Sequence, residues 1–458
     1  MKKNLNRFFY CLFLLIFLTI LTSSLVLQVT YHKFSTDNVL NNIKYLSSDK
    51  FEGRLTGSYG CEKTSDFIEN YYRNYNINSL NNNYKESFNM ITPILNNTKP
   101  KLILKNQNKI VKEYKYGVDY KEDLTNFRTS NAEFSNSDDI CASINSILIT
   151  QNNHKYLFNL NCHDNNFSFR SSFNSSSKYD FCIDISPSLY NDILNGLRNG
   201  YTLFINLPYT LTEKSSNNII GYIKGTSPSL PPLILSAHFD HMGKDYLNNC
   251  YYGALDNASG TSFMLEMLRT LSSIIKPKRT IIFVSFSGEE FGLIGSKNFV
   301  YNHFSQIKNA DVINFDMIGA PKTDLTLMVG KNPNKNSKDN SLVNSLEKIC
   351  IDKSIKYSIT EKDSSDHASF CNAGINAVTI CHADTSRIHT PYDTIEHIDS
   401  ESINTVYTLV MNNILSSCYD KYFLLIYNPL IPILSCICFI IMILYHYYKY
   451  DKNNKEVS

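Results

Sequence analysis

The stretch Leu233-Ile234-Leu235-Ser236-Ala237-His238-Phe239-Asp240-His241-Met242-Gly243 runs from branched apolar residues straight into imidazoles and a carboxylate. A short apolar run of this kind predicts a buried strand, and the polar residues then fall just past its end. The runs Ile219–Ile223, Thr280–Phe286, Val312–Phe315 and Ala377–Cys381 have the same form, with helical segments between them. Strands alternating with helices predict an α/β fold: a mixed or parallel central sheet with helices on both faces. Ligands of open α/β sheets collect beyond the carboxyl ends of the strands, where these polar residues lie.

The same placement recurs along the chain. A His with a carboxylate two residues on suits a metal ligand and its support, with His238 binding through one ring nitrogen while Asp240 accepts from the other. The glycine-bracketed Gly253-Ala254-Leu255-Asp256-Asn257-Ala258-Ser259-Gly260 opens a helix through Leu271 and offers Asp256 as a bridging carboxylate. After Thr280–Phe286 comes Gly288-Glu289-Glu290-Phe291-Gly292, whose adjacent carboxylates cannot point the same way, so one can bind metal while the other works as a base. Asp316 follows Val312–Phe315, and His389 heads His389-Thr390-Pro391-Tyr392-Asp393-Thr394. Imidazoles and carboxylates without a thiolate suit Zn²⁺, with Mn²⁺ or Co²⁺ as acceptable substitutes. Three carboxylates at about −3 call for two divalent cations, which leave positive charge to acidify a bridging water. His241, His367 and His382 read as structural imidazoles, and Asp393 as either a supporting carboxylate or a turn residue.

The chain has 458 residues, 43% of them apolar, with 44 basic residues against 42 acidic ones for a formal charge of +2. No global field favours nucleic acid. Residues 1–30 read as a signal-anchor, with the apolar run Phe8–Val29 behind Lys2, Lys3 and Arg7. A second apolar run, 424–445, precedes Lys449, Lys452 and Lys455 in a tail over 446–458. Positive flanks outside both spans predict both termini in the cytoplasm and everything between them beyond the membrane. The expected setting is the cell membrane of an AT-rich bacterium, with a eukaryotic secretory or vacuolar membrane second. Between the spans, 38–120 reads as the first part of the main domain, 121–214 as a lobe of short strands, and 215–420 as the catalytic part. Most of the twelve cysteines read as small buried hydrophobes.

Five of these motifs, in this order, resemble peptidase family M28, the co-catalytic zinc aminopeptidases: His-Phe-Asp-His-Met-Gly, Gly-Ala-Leu-Asp-Asn-Ala-Ser-Gly, Gly-Glu-Glu-Phe-Gly-Leu-Ile-Gly-Ser, Asn-Phe-Asp-Met-Ile-Gly and His-Thr-Pro-Tyr-Asp-Thr. Leu46–Asp49 through Gly53-Arg54, and Ser365-Asp366-His367 with Phe370, are similar more weakly. The likeness spans about Asn38 to Asp399, and the 121–214 lobe looks like the protease-associated domain many members insert. The resemblance implies that Asp256 bridges two zinc ions, with His238 and Asp316 on one and Glu290 and His389 on the other. It further implies Glu289 as general base and peptides with a free N-terminus as substrates. Lys362, Asp363 and Ser364 stand where some members carry an aromatic hydroxyl. Side-chain preference is expected to lie in loops such as Lys322–Asp339. The alternatives are a glutaminyl cyclase-like transferase with a single zinc, a metal-free receptor, and a carboxypeptidase with Arg387 as its carboxylate clamp.

Overall fold

The computed structural model describes residues 2–80, 82–161, 167–331, 340–420 and 430–455. At the centre of a nine-stranded sheet, Ile281–Phe286, Leu233–His238, Asp311–Phe315 and Asn376–His382 lie side by side. These four are mutually parallel. Tyr209–Ile223 flanks them antiparallel on one side and Leu325–Val329 on the other, so the sheet is mixed.

Alternation along the strands builds two apolar layers. Leu233, Leu235 and Ala237 enter one layer with Phe263, Leu268 and Val406 from the helices Gly260–Ser272 and Ser400–Cys418. Ile234, Val284 and Val312 enter the other with Phe299 and Phe370, from Ile294–Ile307 and His367–Asn372. Helices thus cover both faces, as the sequence predicts. Because the central strands are parallel, their carboxyl ends share one edge, and that edge carries His238, the Glu289-Glu290 turn and Asp316.

Two smaller sheets form a lobe around a separate apolar core. Lys101–Asn106 and Lys109–Glu113 join it by pairing with Thr202–Asn206 and with each other, so the lobe's strands begin at residue 101 rather than 121. Pairing across a hundred residues leaves no mark on local composition. The far boundary differs too. Tyr209–Ile223 is one continuous strand that pairs with Lys85–Leu95 from Tyr209 to Ile219 and with Ile281–Phe286 from Ile219 onward, so the expected division at 214 falls inside it. Leu325–Val329, expected to be part of a loop, is a strand of the main sheet; residues 332–339 of that expected loop lie outside the described ones.

Among the described residues, two helices are long and apolar enough to cross a membrane, over Arg7–Thr30 and Leu430–Lys449. They pack together: the Tyr10 hydroxyl donates to the Met442 carbonyl at 3.1 Å, and the Tyr10 and His446 rings stack at 4.9 Å. The second helix runs on to Lys455, while residues 424–429 of its expected span lie outside the described ones. Every described cysteine is a free thiol, and most are buried.

Arg54 ties the first helices to the sheet edge. Its fully buried guanidinium donates to the carbonyls of Leu46, Phe239, Tyr252 and Gly253, each at 2.8 Å. Beside it Gly53, at φ +68°, lies where a Cβ would come within 2.4 Å of the Gly243 carbonyl oxygen. Arg54→Met removes every donor from those carbonyls, and a buried acceptor left unpaired costs about 1–3 kcal/mol. Urea unfolding of the variant is expected to give a stability loss of about 3 kcal/mol or more; an unchanged midpoint would refute the role.

Candidate metal centre

His238 closes its strand with its imidazole 1% exposed. Its Nε2 lies 3.5 Å from Asp256 Oδ1 and 3.4 Å from Asp316 Oδ1. On the other side of Asp256, His389 Nε2 lies 3.1 Å from Asp256 Oδ2 and 3.2 Å from Glu290 Oε1. Asp256 therefore gives one oxygen to each of two groups. His241 joins the second, its Nδ1 3.2 Å from Glu290 Oε1 and 3.9 Å from Asp256 Oδ2.

These separations fit an ion. Two ligand atoms on a tetrahedral zinc, each at its usual bond length, stand about 3.3 Å apart. Both ring nitrogens of His238 and the Oδ1 of Asp316 are buried without a hydrogen-bond partner among the described residues, a costly state for polar atoms that a cation relieves. His238, Asp256 and Asp316 form one group able to hold a metal, and His241, Asp256 and Glu290 another, with His389 beside it. Charge points the same way. Burial opposes protonation of His238, yet Glu289 and Asp316 hold it well above the ordinary imidazole range. Burial likewise opposes protonation of His389, which Glu290 and Asp256 hold up.

The two adjacent glutamates part company. Glu290 is buried in the second group; burial would raise it, but His389 and His241 hold it well below the usual carboxylate range. Glu289 instead lines an open cleft of about 1090 Å³, with Ser172, Phe291 and Ser364 on its walls. Desolvation, opposed by His238 and reinforced by Glu290, Asp366 and Asp316, lifts Glu289 well above the ordinary carboxyl range. Asp240 dictates the divergence: its Oδ1 accepts the Glu289 amide at 3.2 Å, and its Oδ2 accepts the Glu290 amide at 3.2 Å and the Thr56 hydroxyl at 2.7 Å. With its oxygens so engaged, Asp240 stands 3.7 Å from His238 Nδ1, outside hydrogen-bond range. The expected His238–Asp240 hydrogen bond is therefore absent, and Asp240 organises the glutamate turn instead.

Asp393 is a support, accepting the amides of Leu255 at 2.8 Å and Asp256 at 3.0 Å and so holding the loop that presents Asp256. Asn257 binds that loop to the next strand end, donating to the Phe315 carbonyl at 2.9 Å. His367 and His382 are structural: His367 bonds Thr379 at 2.7 Å and the Lys362 carbonyl at 2.9 Å, and His382 Nδ1 accepts the Gly319 amide at 3.1 Å. Three participants carry no signal along the chain: by sequence His241 reads as structural, and Thr56 and Ser172 lie in segments with no motif; Ser172 donates to Glu290 Oε2 at 2.7 Å. Asp366 is buried close enough to feel His238 and Asp316, and burial pushes its carboxyl up to about 7. Arg387, the candidate carboxylate clamp, is paired with Asp384 at 3.2 Å.

The fold is that of the zinc aminopeptidases: a structure described as BSAP, a zinc aminopeptidase from Bacillus subtilis, superposes with a TM-score of 0.59 at 20% identity, covering 85% of this chain and 96% of that one. Residues 218–414 match the model of Peptidase family M28. Aminopeptidase YwaD of Bacillus subtilis (strain 168) is 36% identical over 211 residues, 43% of this chain and 44% of that protein. A vacuolar membrane protease of Clavispora lusitaniae is 41% identical over 106 residues, 23% of this chain and 10% of that protein. The chain thus spans less than half the length of these curated relatives.

Replacing Asp393 by Ala frees the Asp256 loop without touching a ligand. Loss of such a support typically weakens metal binding by about 10–100-fold. Zinc competition against a chromophoric chelator is expected to report a loss in that range with the circular dichroism unchanged; wild-type affinity would refute it.

Proposed function

We propose that this chain is a membrane-anchored zinc aminopeptidase that removes N-terminal residues from peptides. The observation that carries the reading is the division of Asp256, one oxygen toward His238 and Asp316 and the other toward His389 and Glu290. His238, Asp256 and Asp316 would hold one zinc, and Asp256, Glu290 and His389 the second. Bound there, the pair would supply Lewis acidity and lower the pKa of the attacking water.

The chain's own residues supply the proton transfers. Glu289, at the cleft and with a raised carboxyl pKa, takes a proton from the attacking water and returns it to the leaving amine. Asp240 fixes where that carboxylate points by holding its backbone amide. The cleft has room for the first residues of a peptide, and the surplus of carboxylates at its base suits a cationic α-amine. The pairing of Arg387 with Asp384 disfavours the carboxypeptidase alternative. A glutaminyl cyclase, working with one zinc, has no use for both groups. A receptor has no use for a glutamate poised for proton transfer.

Both apolar helices are read as membrane spans. Their packing, with Tyr10 against His446, supports placing the two termini on the same side, and the basic flanks support the cytoplasm for that side. Protease treatment of intact cells is expected to digest the central domain, and its survival would overturn the extracytoplasmic placement.

Hydrolysis of a panel of aminoacyl-anilides tests the activity. Release is expected to vanish on chelation and return with zinc, at two zinc ions per chain by elemental analysis. Glu289→Ala is expected to lower kcat by about 10²–10⁴-fold with zinc content unchanged. A silent panel from a chain with both ions bound would overturn the aminopeptidase reading in favour of carboxypeptidase or cyclase chemistry.

A further inference from the structure

The lobe built from residues 101–206 would be expected to influence a peptidase from outside, by roofing its cleft. One of its segments goes further and reaches the metal ligands. The Arg170 carbonyl accepts from His389 Nδ1 at 2.9 Å, and the Arg170 amide donates to the His389 carbonyl at 3.0 Å. Two residues on, the Ser172 hydroxyl donates to Glu290 Oε2 at 2.7 Å, and the Phe173 amide donates to the Glu290 carbonyl at 2.8 Å. The Phe169 ring stacks on the His389 imidazole at 5.9 Å.

Each contact has a defined consequence at a ligand atom. A carbonyl can only accept, so the Arg170 contact keeps a proton on His389 Nδ1 and leaves Nε2, the nitrogen turned toward Asp256 and Glu290, as the one that would face a cation. The Ser172 hydroxyl engages one Glu290 oxygen, so the other, Oε1, is the one turned toward His389 and His241. His389 itself sits at φ +58°, a left-handed conformation uncommon outside glycine, and its carbonyl and its imidazole are both bonded to the Arg170 backbone.

The segment is itself held rigidly. Lys121 of the lobe forms a buried ion pair with Asp245 at 2.7 Å and donates to the Tyr251 hydroxyl at 2.8 Å. The buried Arg170 guanidinium donates to the Met242 and Lys244 carbonyls, at 3.1 and 3.3 Å, on the loop that follows His241. Buried charge pairs of this sort hold a single docked geometry, because separating them exposes an uncompensated charge.

We propose that the lobe is a structural part of the metal centre: through the Ser172 hydroxyl and the Arg170 backbone it orients Glu290 and His389, so that zinc binding in that half of the centre depends on the lobe. Ser172 is a positioning residue, acting on the metal through Glu290. The inference rests on the zinc reading above, but it is tested by affinity and not by turnover.

The test is chelator competition for zinc on the full chain in detergent, comparing wild type with Ser172→Ala, Ser172→Thr and the exposed lobe control Ser137→Ala. Ser172→Ala is expected to weaken one of the two zinc ions by about 10–100-fold and to leave the other at wild-type affinity. Ser172→Thr, which keeps the hydroxyl, is expected to restore most of that loss, and Ser137→Ala to match wild type. Unchanged affinities in Ser172→Ala would overturn the proposal, as would an equal loss in Ser172→Thr, which would mark a packing effect. A wild-type chain that binds zinc but cleaves no aminoacyl-anilide would sink the peptidase reading alone; one that binds no zinc would sink both.

Discussion

Asp256, Glu290 and Asp316 converge where the parallel strands end, with Asp240 and Asp366 buried close by and Glu289 beside them at the cleft. Carboxylates crowded together out of water repel one another and lose their hydration, so the arrangement persists only where donors or cations compensate. The surroundings supply both. Asp240 takes two amides and a hydroxyl, Asp393 takes two amides, and Glu290 lies against two imidazoles and the Ser172 hydroxyl. Among the described residues, buried atoms of His238, His241, Asp316 and Asp366 still lack a hydrogen-bond partner, and those of His238 and Asp316 border the space they share with Asp256. A divalent cation fits that space.

The scaffold follows from the need to hold these groups still. Arg54 clamps four carbonyls from three segments, two of which carry the Asp240 and Asp256 loops. Asn257 fastens the Asp256 loop to the Phe315 strand end, and Ser259 accepts the Ile318 amide at 2.8 Å beyond it. Each loop is thereby fixed to a neighbour as well as to its own strand. The lobe continues the same principle, since its buried Lys121–Asp245 pair and the Arg170 side chain bind it to the loop after His241.

Much of the central domain could be read along the chain because parallel strands buried on both faces must be short, apolar and branched, and because glycine marks the turns beyond them. The strands Leu325–Val329 and Tyr357–Glu361 escaped that reading; the second is largely exposed at the sheet edge, where no apolar run is needed. Lys101–Asn106 reads as extended along the chain, but nothing local marks its place in the lobe's sheet, since its partner Thr202–Asn206 is remote in sequence. His238 with Asp240 looked like a hydrogen-bonded pair by spacing. Their separation of 3.7 Å reflects the competing amides of Glu289 and Glu290, which arrive from another strand.

The residue types that converge are legible along the chain, because His238, Asp256, Glu290 and Asp316 each stand at a strand end or a glycine-rich turn and His389 heads a motif of its own. So are the fold class and the two membrane-length helices, for a related reason: periodicity and run length are local properties. Which glutamate faces the cleft, that His241 leans on Glu290, and that Arg170 and Ser172 of the lobe reach His389 and Glu290 emerge only once the chain is folded. Those outcomes depend on hydrogen bonds between segments far apart in the chain, and a serine or a backbone carbonyl has no local pattern that names its distant partner.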